Sequence, residues 1–337
     1  MSIKDQLTHT LRLEKTPSPW PRMILCALSV TLPLLAGLYY GDQQSSVFGA
    51  LLGFILILND HFGPFKKRVL HLLASFFFLS LSFFIGLLVA DSIWLIFLLL
   101  FTMAFVLGKS KGMGLELERL VLFSTFQLLN AALTPELRTD PFQLMVYATL
   151  SLLNYLVCLS VVYLVMKHKP NFQRSKRQEL LEAFRKKESH RYAITLAAVS
   201  CAGLLIAEIF NLERGQWMVG TILIVMMPSR SLSFQKSFQR IFGTFIGVLI
   251  AALVIVMAES PVVLVTFSCL AAFLAPLGLI RNYWLGNVFI AALIMFFLEF
   301  ASLGVVHNEI QFAVARLIDI SLGCTIGAIG TAIAFKK

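Results

Sequence analysis

Apolar residues in this chain fall in long unbroken runs, separated by short polar breaks. The runs are Met23–Tyr40, Val47–Leu58, Val69–Ala90, Ile93–Leu107, Leu120–Leu133 and Phe142–Met166, then Tyr192–Phe210, Trp217–Met227, Ile241–Ala258, Val262–Leu279, Leu285–Leu303 and Phe312–Phe335. Most have the length of a helical bilayer crossing, and none shows the two-residue alternation of a barrel strand. Length and hydropathy therefore predict an all-α polytopic membrane protein with about twelve transmembrane helices. The second and eighth runs are short for a straight crossing, and the fifth gains length if it begins near Leu115.

A polar stretch, residues 167–191, divides the runs into two sets of six. The chain then reads as a tail (1–19), a first membrane repeat (20–166), a basic linker (167–191) and a second repeat (192–337). Each set contains the same unit: a short run ending in a polar break, then a basic loop, then a long run. In the first set the break is Asn59-Asp60-His61, with Lys66-Lys67-Arg68 opening the next run. In the second it is Pro228-Ser229-Arg230, with Arg240 opening the next. An even number of runs per set makes the repeats parallel, and a path between them is the expectation for a duplicated transporter.

Composition agrees with this pattern. Hydrophobic residues make up 58% of the chain, charged residues 14%, and the mean hydropathy is +0.83. A soluble chain of this size could not bury so much apolar surface. The formal charge of +10 is not spread evenly. Basic residues collect in the loops after the even-numbered runs, in the linker and at both termini. The other loops hold Asp42, Asp91, Glu136, Asp140, Glu213, Glu259 and Glu309. Roughly nine-tenths of the Lys and Arg share one side, which the positive-inside rule makes cytoplasmic, with both termini there. This clustering argues against a nucleic-acid partner and for contact with the lipid bilayer. Within the linker, Gln178–Arg185 has the pattern of an amphipathic surface helix. The five cysteines lie in or beside apolar runs with no paired spacing, so they read as buried apolar residues.

Candidate chemistry is sparse. Zincin, nucleophile-elbow and Walker patterns are absent, as are Cys/His clusters, so no catalytic residue, metal or cofactor is expected. The sharpest local motif is Arg240-Ile-Phe-Gly-Thr-Phe-Ile-Gly247. Gly243 and Gly247 share a helix face and allow a close helix approach, while Arg240 sits at the cytoplasmic mouth. Arg68 takes the matching place in the first repeat, where His71 and Ser75 stand for the glycines. Arg316 and Asp319 lie three residues apart inside the last run, followed by Gly323, and Glu299 lies in the run before it. Charged groups at membrane depth face the bundle interior or water. They read either as local structural pairs or as an anion contact (Arg316) with proton-coupling candidates (Asp319, Glu299). Gln127, Asn130 and Asn287 could supply neutral donors.

Three segments together resemble the fusaric acid resistance family of aromatic carboxylic acid exporters, which is akin to the plant aluminium-activated malate channels. Trp217–Arg230 followed by Arg240–Gly247 is similar to its short span, Pro/Ser breaker and Arg-x-x-Gly-Thr-x-x-Gly helix. Arg281-Asn-Tyr-Trp284 is similar to its Asn-Tyr entry to the penultimate span, and Arg316–Gly323 to its closing Arg-x-x-Asp-x-x-x-Gly helix. The likeness is good over 192–335 and fainter over 20–166. It implies a bacterial inner-membrane protein that exports small organic anions, with aromatic carboxylic acids as the expected class. Arg240, Arg68 and Arg281 would gather the anion, Arg316 would meet it in the membrane, and Tyr283 and Thr244 would flank it. A periplasmic efflux partner and a homo-oligomer are both compatible with the resemblance. A passive anion channel and a non-transporting membrane assembly component are the alternatives.

Overall fold

The computed structural model describes residues 10–60, 63–111, 113–138, 140–166, 189–212, 214–257, 260–303 and 309–335. Among them are twelve α-helices and no strand. In chain order they are α1 (Trp20–Tyr40), α2 (Gln43–Asn59), α3 (Phe65–Val89), α4 (Ile93–Ser110), α5 (Leu115–Leu133), α6 (Pro141–Met166), α7 (Ser189–Ile209), α8 (Gly215–Val225), α9 (Arg230–Met257), α10 (Pro261–Arg281), α11 (Tyr283–Ala301) and α12 (Glu309–Ala334). A 3-10 turn, Pro135–Arg138, separates α5 from α6.

Nine of the described helices, α1, α3, α4, α6, α7 and α9 to α12, are long and apolar enough to cross a membrane. The protein is a multi-pass membrane protein. The remaining three are α2, α8 and α5, and α5 opens with Glu116, Glu118 and Arg119. At 11 residues, α8 spans about 16 Å, roughly half a hydrocarbon core. The amphipathic stretch 178–185 lies outside the described residues.

Local sequence accounts for the helix boundaries. Asp42 and Asp140, which sequence reading counts only as loop acids, act as N-caps. Asp42 Oδ1 accepts from the Ser45 amide at 3.1 Å, and Asp140 Oδ1 from the Gln143 amide at 3.0 Å. Each takes up an amide that the first turn leaves without a partner. α1 stops at Gly41, whose left-handed backbone (φ 74) suits glycine. One boundary differs from expectation. Arg240 does not open its helix, because α9 begins at Arg230 and places Arg240 in its third turn. The intervening Ser231, Ser233, Gln235, Lys236 and Gln239 lower the hydropathy without breaking the helix. Ser233, Ser237 and Gln239 are buried.

Side chains facing away from the helix contacts are those a bilayer would cover. Phe77, Leu88, Leu164, Leu253 and Val256 are exposed, and Tyr39, Tyr40, Trp20 and Trp94 are exposed at helix ends. Aromatic rings at the ends of apolar helices match the membrane–water interface.

The helices sort into two compact units that cut across the sequence halves. One spans Met1–Leu58, Asp140–His168 and Phe238–Leu317; the other spans Asn59–Thr139, Lys169–Ser237 and Ile318–Lys337. The first therefore holds α1, α6, α10, α11, nearly all of α2 and most of α9. The second holds α3, α4, α5, α7, α8 and most of α12. Inside the first unit α1 packs on α10, and inside the second α4 packs on α7. The first helix of each half thus lies on the fourth helix of the other half. Division at the linker, 20–166 against 192–337, is a division of the sequence and not of these units.

Candidate functional site

In the first unit, α9 and α11 run side by side with glycine at the seam. A Cβ at Gly243 would stand 2.8 Å from the Asn287 Cβ, and one at Gly247 would stand 2.9 Å from the Ala291 Cβ. Both glycines also face α11 backbone carbonyls, of Trp284 and Val288. Close approach of this kind needs a residue without a side chain. Because successive glycines meet successive turns of α11 in the same order, the two helices are parallel.

The seam carries a polar cluster at one end. Arg240 Nη1 donates to the Tyr283 hydroxyl at 3.1 Å and to Asn287 Oδ1 at 3.4 Å. Asn287 is buried and donates through its amide to the Tyr283 carbonyl at 3.0 Å, which fixes its orientation. Thr244 is buried one turn further along α9. Two neutral oxygens thus share the Nη1 corner of the guanidinium. Aromatic rings line the same turns: Phe238 stacks on Phe242 (centroids 6.1 Å apart), and Phe242 meets Trp284 edge-on at 5.5 Å.

Other predicted site residues are spread more widely. Arg281 ends α10, immediately before the Asn282 cap. Glu299 lies near the opposite end of α11 from Tyr283, about 24 Å away along the helix axis. Arg316 and Asp319 are both buried, at 4% and 2% exposure. They fall on either side of the point where α12 passes from the first unit into the second.

In the second unit Arg68 is not a bare cation at a mouth. Its Nε donates to Asp60 Oδ1 at 3.2 Å, and a second bond joins its Nη2 to Asp60 Oδ2. Asp60 is 3% exposed. Sequence reading treats Asp60 as part of a helix breaker and misses this partner eight residues away. Removing one member of such a pair leaves a buried charge. Arg68→Leu is therefore expected to destabilise the protein by about 3–5 kcal/mol. Adding Asp60→Leu should restore much of the loss in a detergent melting experiment. A double variant no more stable than Arg68→Leu would contradict the pairing.

At both polar breaks, side chains bond backbone carbonyls at the helix end. After α8, Met226 O accepts from the Tyr192 hydroxyl at 2.9 Å and from the buried Lys111 ammonium, whose Nζ also sits 5.4 Å from the Tyr192 ring centroid. Val225 O accepts from Ser233 Oγ at 2.9 Å. At the end of α2, Asn59 O accepts from His71 Nε2 at 3.0 Å, and Asn59 Nδ2 donates to Ser75 Oγ at 2.7 Å. Irregular backbone at membrane depth needs such partners. Nothing in the spacing of Lys111 or Tyr192 signals this role, because the partners are far apart in sequence. In the same unit Gly323 packs against α8, where its Cβ would meet the Met218 carbonyl and the Thr221 Cβ, at 2.7 and 2.9 Å.

Among the described residues, no cluster of three or more His, Cys, Asp or Glu could hold a metal ion. Residues 199–330 match the family described as fusaric acid resistance protein-like. No curated protein and no solved structure matches the chain.

Proposed function

We propose that this chain, whose residues 199–330 form a fusaric acid resistance protein-like domain, is a transporter of small organic anions, with aromatic carboxylates as its leading substrate class. The observation that carries the reading is the Arg240 cluster. A planar guanidinium is the side chain best matched to a carboxylate, because its paired N–H groups meet both oxygens at once. The Tyr283 hydroxyl, which accepts from Arg240 at 3.1 Å, can donate its own proton to a bound carboxylate, while Asn287 Oδ1, 3.4 Å from Arg240, helps to hold the guanidinium. The aromatic part of the class rests on the family match at residues 199–330, because Phe238 and Phe242 lie two residues either side of Arg240 on α9 and do not share its face.

The wider assignment is supported by the loop charges, the apolar runs and the family match. The protein belongs in a bacterial inner membrane with both termini cytoplasmic, crossing about twelve times as a parallel repeat. Arg281 and Arg68 would add to the positive field at the cytoplasmic side, with Arg68 contributing less because Asp60 offsets it. Arg316 is read as the intramembrane anion contact and Asp319 or Glu299 as the proton-coupling group. A passive channel is the second reading, since fixed cations and a polar helix seam would serve either mode.

Reconstituted protein separates the two. A carrier moves labelled benzoate uphill when a proton gradient is imposed. A channel gives a voltage-driven benzoate current and no uphill movement. Vesicles in which no anion from a panel of benzoate, hydroxybenzoates, malate and chloride moves faster than in protein-free vesicles would sink the transport reading.

A further inference from the structure

The segment before α1 reads in sequence as a polar tail, yet its described part is tied to the turns that carry Arg240. Three consecutive carbonyls of this segment accept from side chains of α9 and of the α10–α11 junction. Asn282 Nδ2 donates to Thr10 O at 3.0 Å and to Arg12 O at 2.8 Å. Gln239 Nε2 donates to Thr10 O at 2.8 Å, and Trp284 Nε1 to Leu11 O at 3.1 Å. In return the Glu14 amide donates to Arg281 O at 2.9 Å.

Those side chains alternate with the anion cluster. Gln239 precedes Arg240, and Asn282 and Trp284 flank Tyr283. Asn282 has a second task. Its Oδ1 accepts from the Trp284 amide at 3.3 Å, capping α11, and from Gln239 Nε2 at 2.9 Å. One amide side chain therefore joins the N-terminal segment, α9 and the first turn of α11. Gln239 is 6% exposed, so loss of its acceptors would leave a buried donor unsatisfied.

We propose that Thr10–Glu14 is a clasp that holds Tyr283 and Arg240 in the geometry of the anion site. Loosening it weakens carboxylate binding while the membrane core stays folded. This inference rests on the anion-site reading above. Asn282, Gln239 and Glu14 are positioning residues and need not touch the anion.

Two variants test it in the full chain. Asn282→Ser keeps an oxygen able to cap α11 and removes both amide donors to the segment. Glu14→Pro removes the bond to Arg281 O and alters no residue of the site. Each is read by the rate of tryptic cleavage after Arg12 and Lys15, by benzoate affinity and by thermal melting. Cleavage should accelerate several-fold. Benzoate affinity should fall by about threefold to tenfold, the size of one or two lost hydrogen bonds, with little change in melting. Faster cleavage with unchanged benzoate affinity would overturn the clasp's role, and so would unchanged cleavage in both variants. A wild-type protein that binds no benzoate would instead overturn the anion-site reading, and the cleavage rates alone would then decide whether the segment is clasped.

Discussion

Replacing Arg240 with alanine is expected to reduce aromatic carboxylate flux by at least about tenfold, since a charge-assisted hydrogen bond is worth about 1.5–3 kcal/mol. The loss has two sources. The substrate loses its guanidinium contact, and the Tyr283 hydroxyl and the buried Asn287 Oδ1 lose a hydrogen-bond donor. Arg240→Lys should fall between the two, because lysine keeps the charge but cannot present a fork. Initial rates of labelled benzoate uptake into proteoliposomes, normalised to inserted protein, check this. Equal rates for Arg240→Ala and wild type would remove Arg240 from the site. Arg316→Ala bears on a separate assignment, the intramembrane contact, and should also lower flux. Its burial at 4% exposure makes a folding control necessary.

Gly247→Leu should prevent recovery of folded protein. A single Cβ at this position already stands 2.9 Å from the Ala291 Cβ and 3.1 Å from the Val288 carbonyl carbon. These are α11 backbone and a short side chain, and neither can swing aside. Overpacking a well-filled interior usually costs about 1–3 kcal/mol, and a leucine against backbone should exceed that range. Gly243→Leu meets the same obstacle at Asn287 and Trp284. Gly114 offers a contrast, since a Cβ there meets nothing within 4 Å. It has φ 130, however, so its cost would come from backbone strain. Size-exclusion profiles of detergent-solubilised protein read the difference. A monodisperse Gly247→Leu peak with wild-type melting would show that the α9–α11 seam has room for a side chain.

Much of the helical layout could be read from hydropathy, because lipid-facing and buried residues are both apolar in a membrane protein. Every apolar run overlaps a helix, and the extension of the fifth run to Leu115 matches the start of α5. Amphipathic helix turns were less visible. The first ten residues of α9 are polar enough to look like loop, although Ser233 and Ser237 are buried against helix backbone. Grouping of helices into units was not legible either. Both α4 and α10 are long apolar helices, and hydropathy cannot say which of them α1 packs on.

The candidate site divides along the same line. Arg240, Gly243 and Gly247 share one helix face and stand out by local spacing. Tyr283 stands out only through the family resemblance, and the residues that match the family, 199–330, include all four. Partners distant in sequence left no local signal. Asp60 as the counter-charge of Arg68, Lys111 and Tyr192 at the α8 break, and Asn282 as a donor to the N-terminal segment all depend on tertiary placement. Small polar residues at helix ends are so common that their particular partners emerge only from the fold.

The central claim is that the Arg240 cluster binds a carboxylate, and equilibrium titration of purified protein with benzoate tests it most directly. Tryptophan emission is a natural reporter, because Trp284 lies next to Tyr283 and meets Phe242 at 5.5 Å. Wild type should give a saturable response that is weakened at least about tenfold in Arg240→Ala, and benzyl alcohol, which lacks the carboxylate, should not compete. Identical benzoate affinity in the two proteins, or equal competition by benzyl alcohol, would contradict the account.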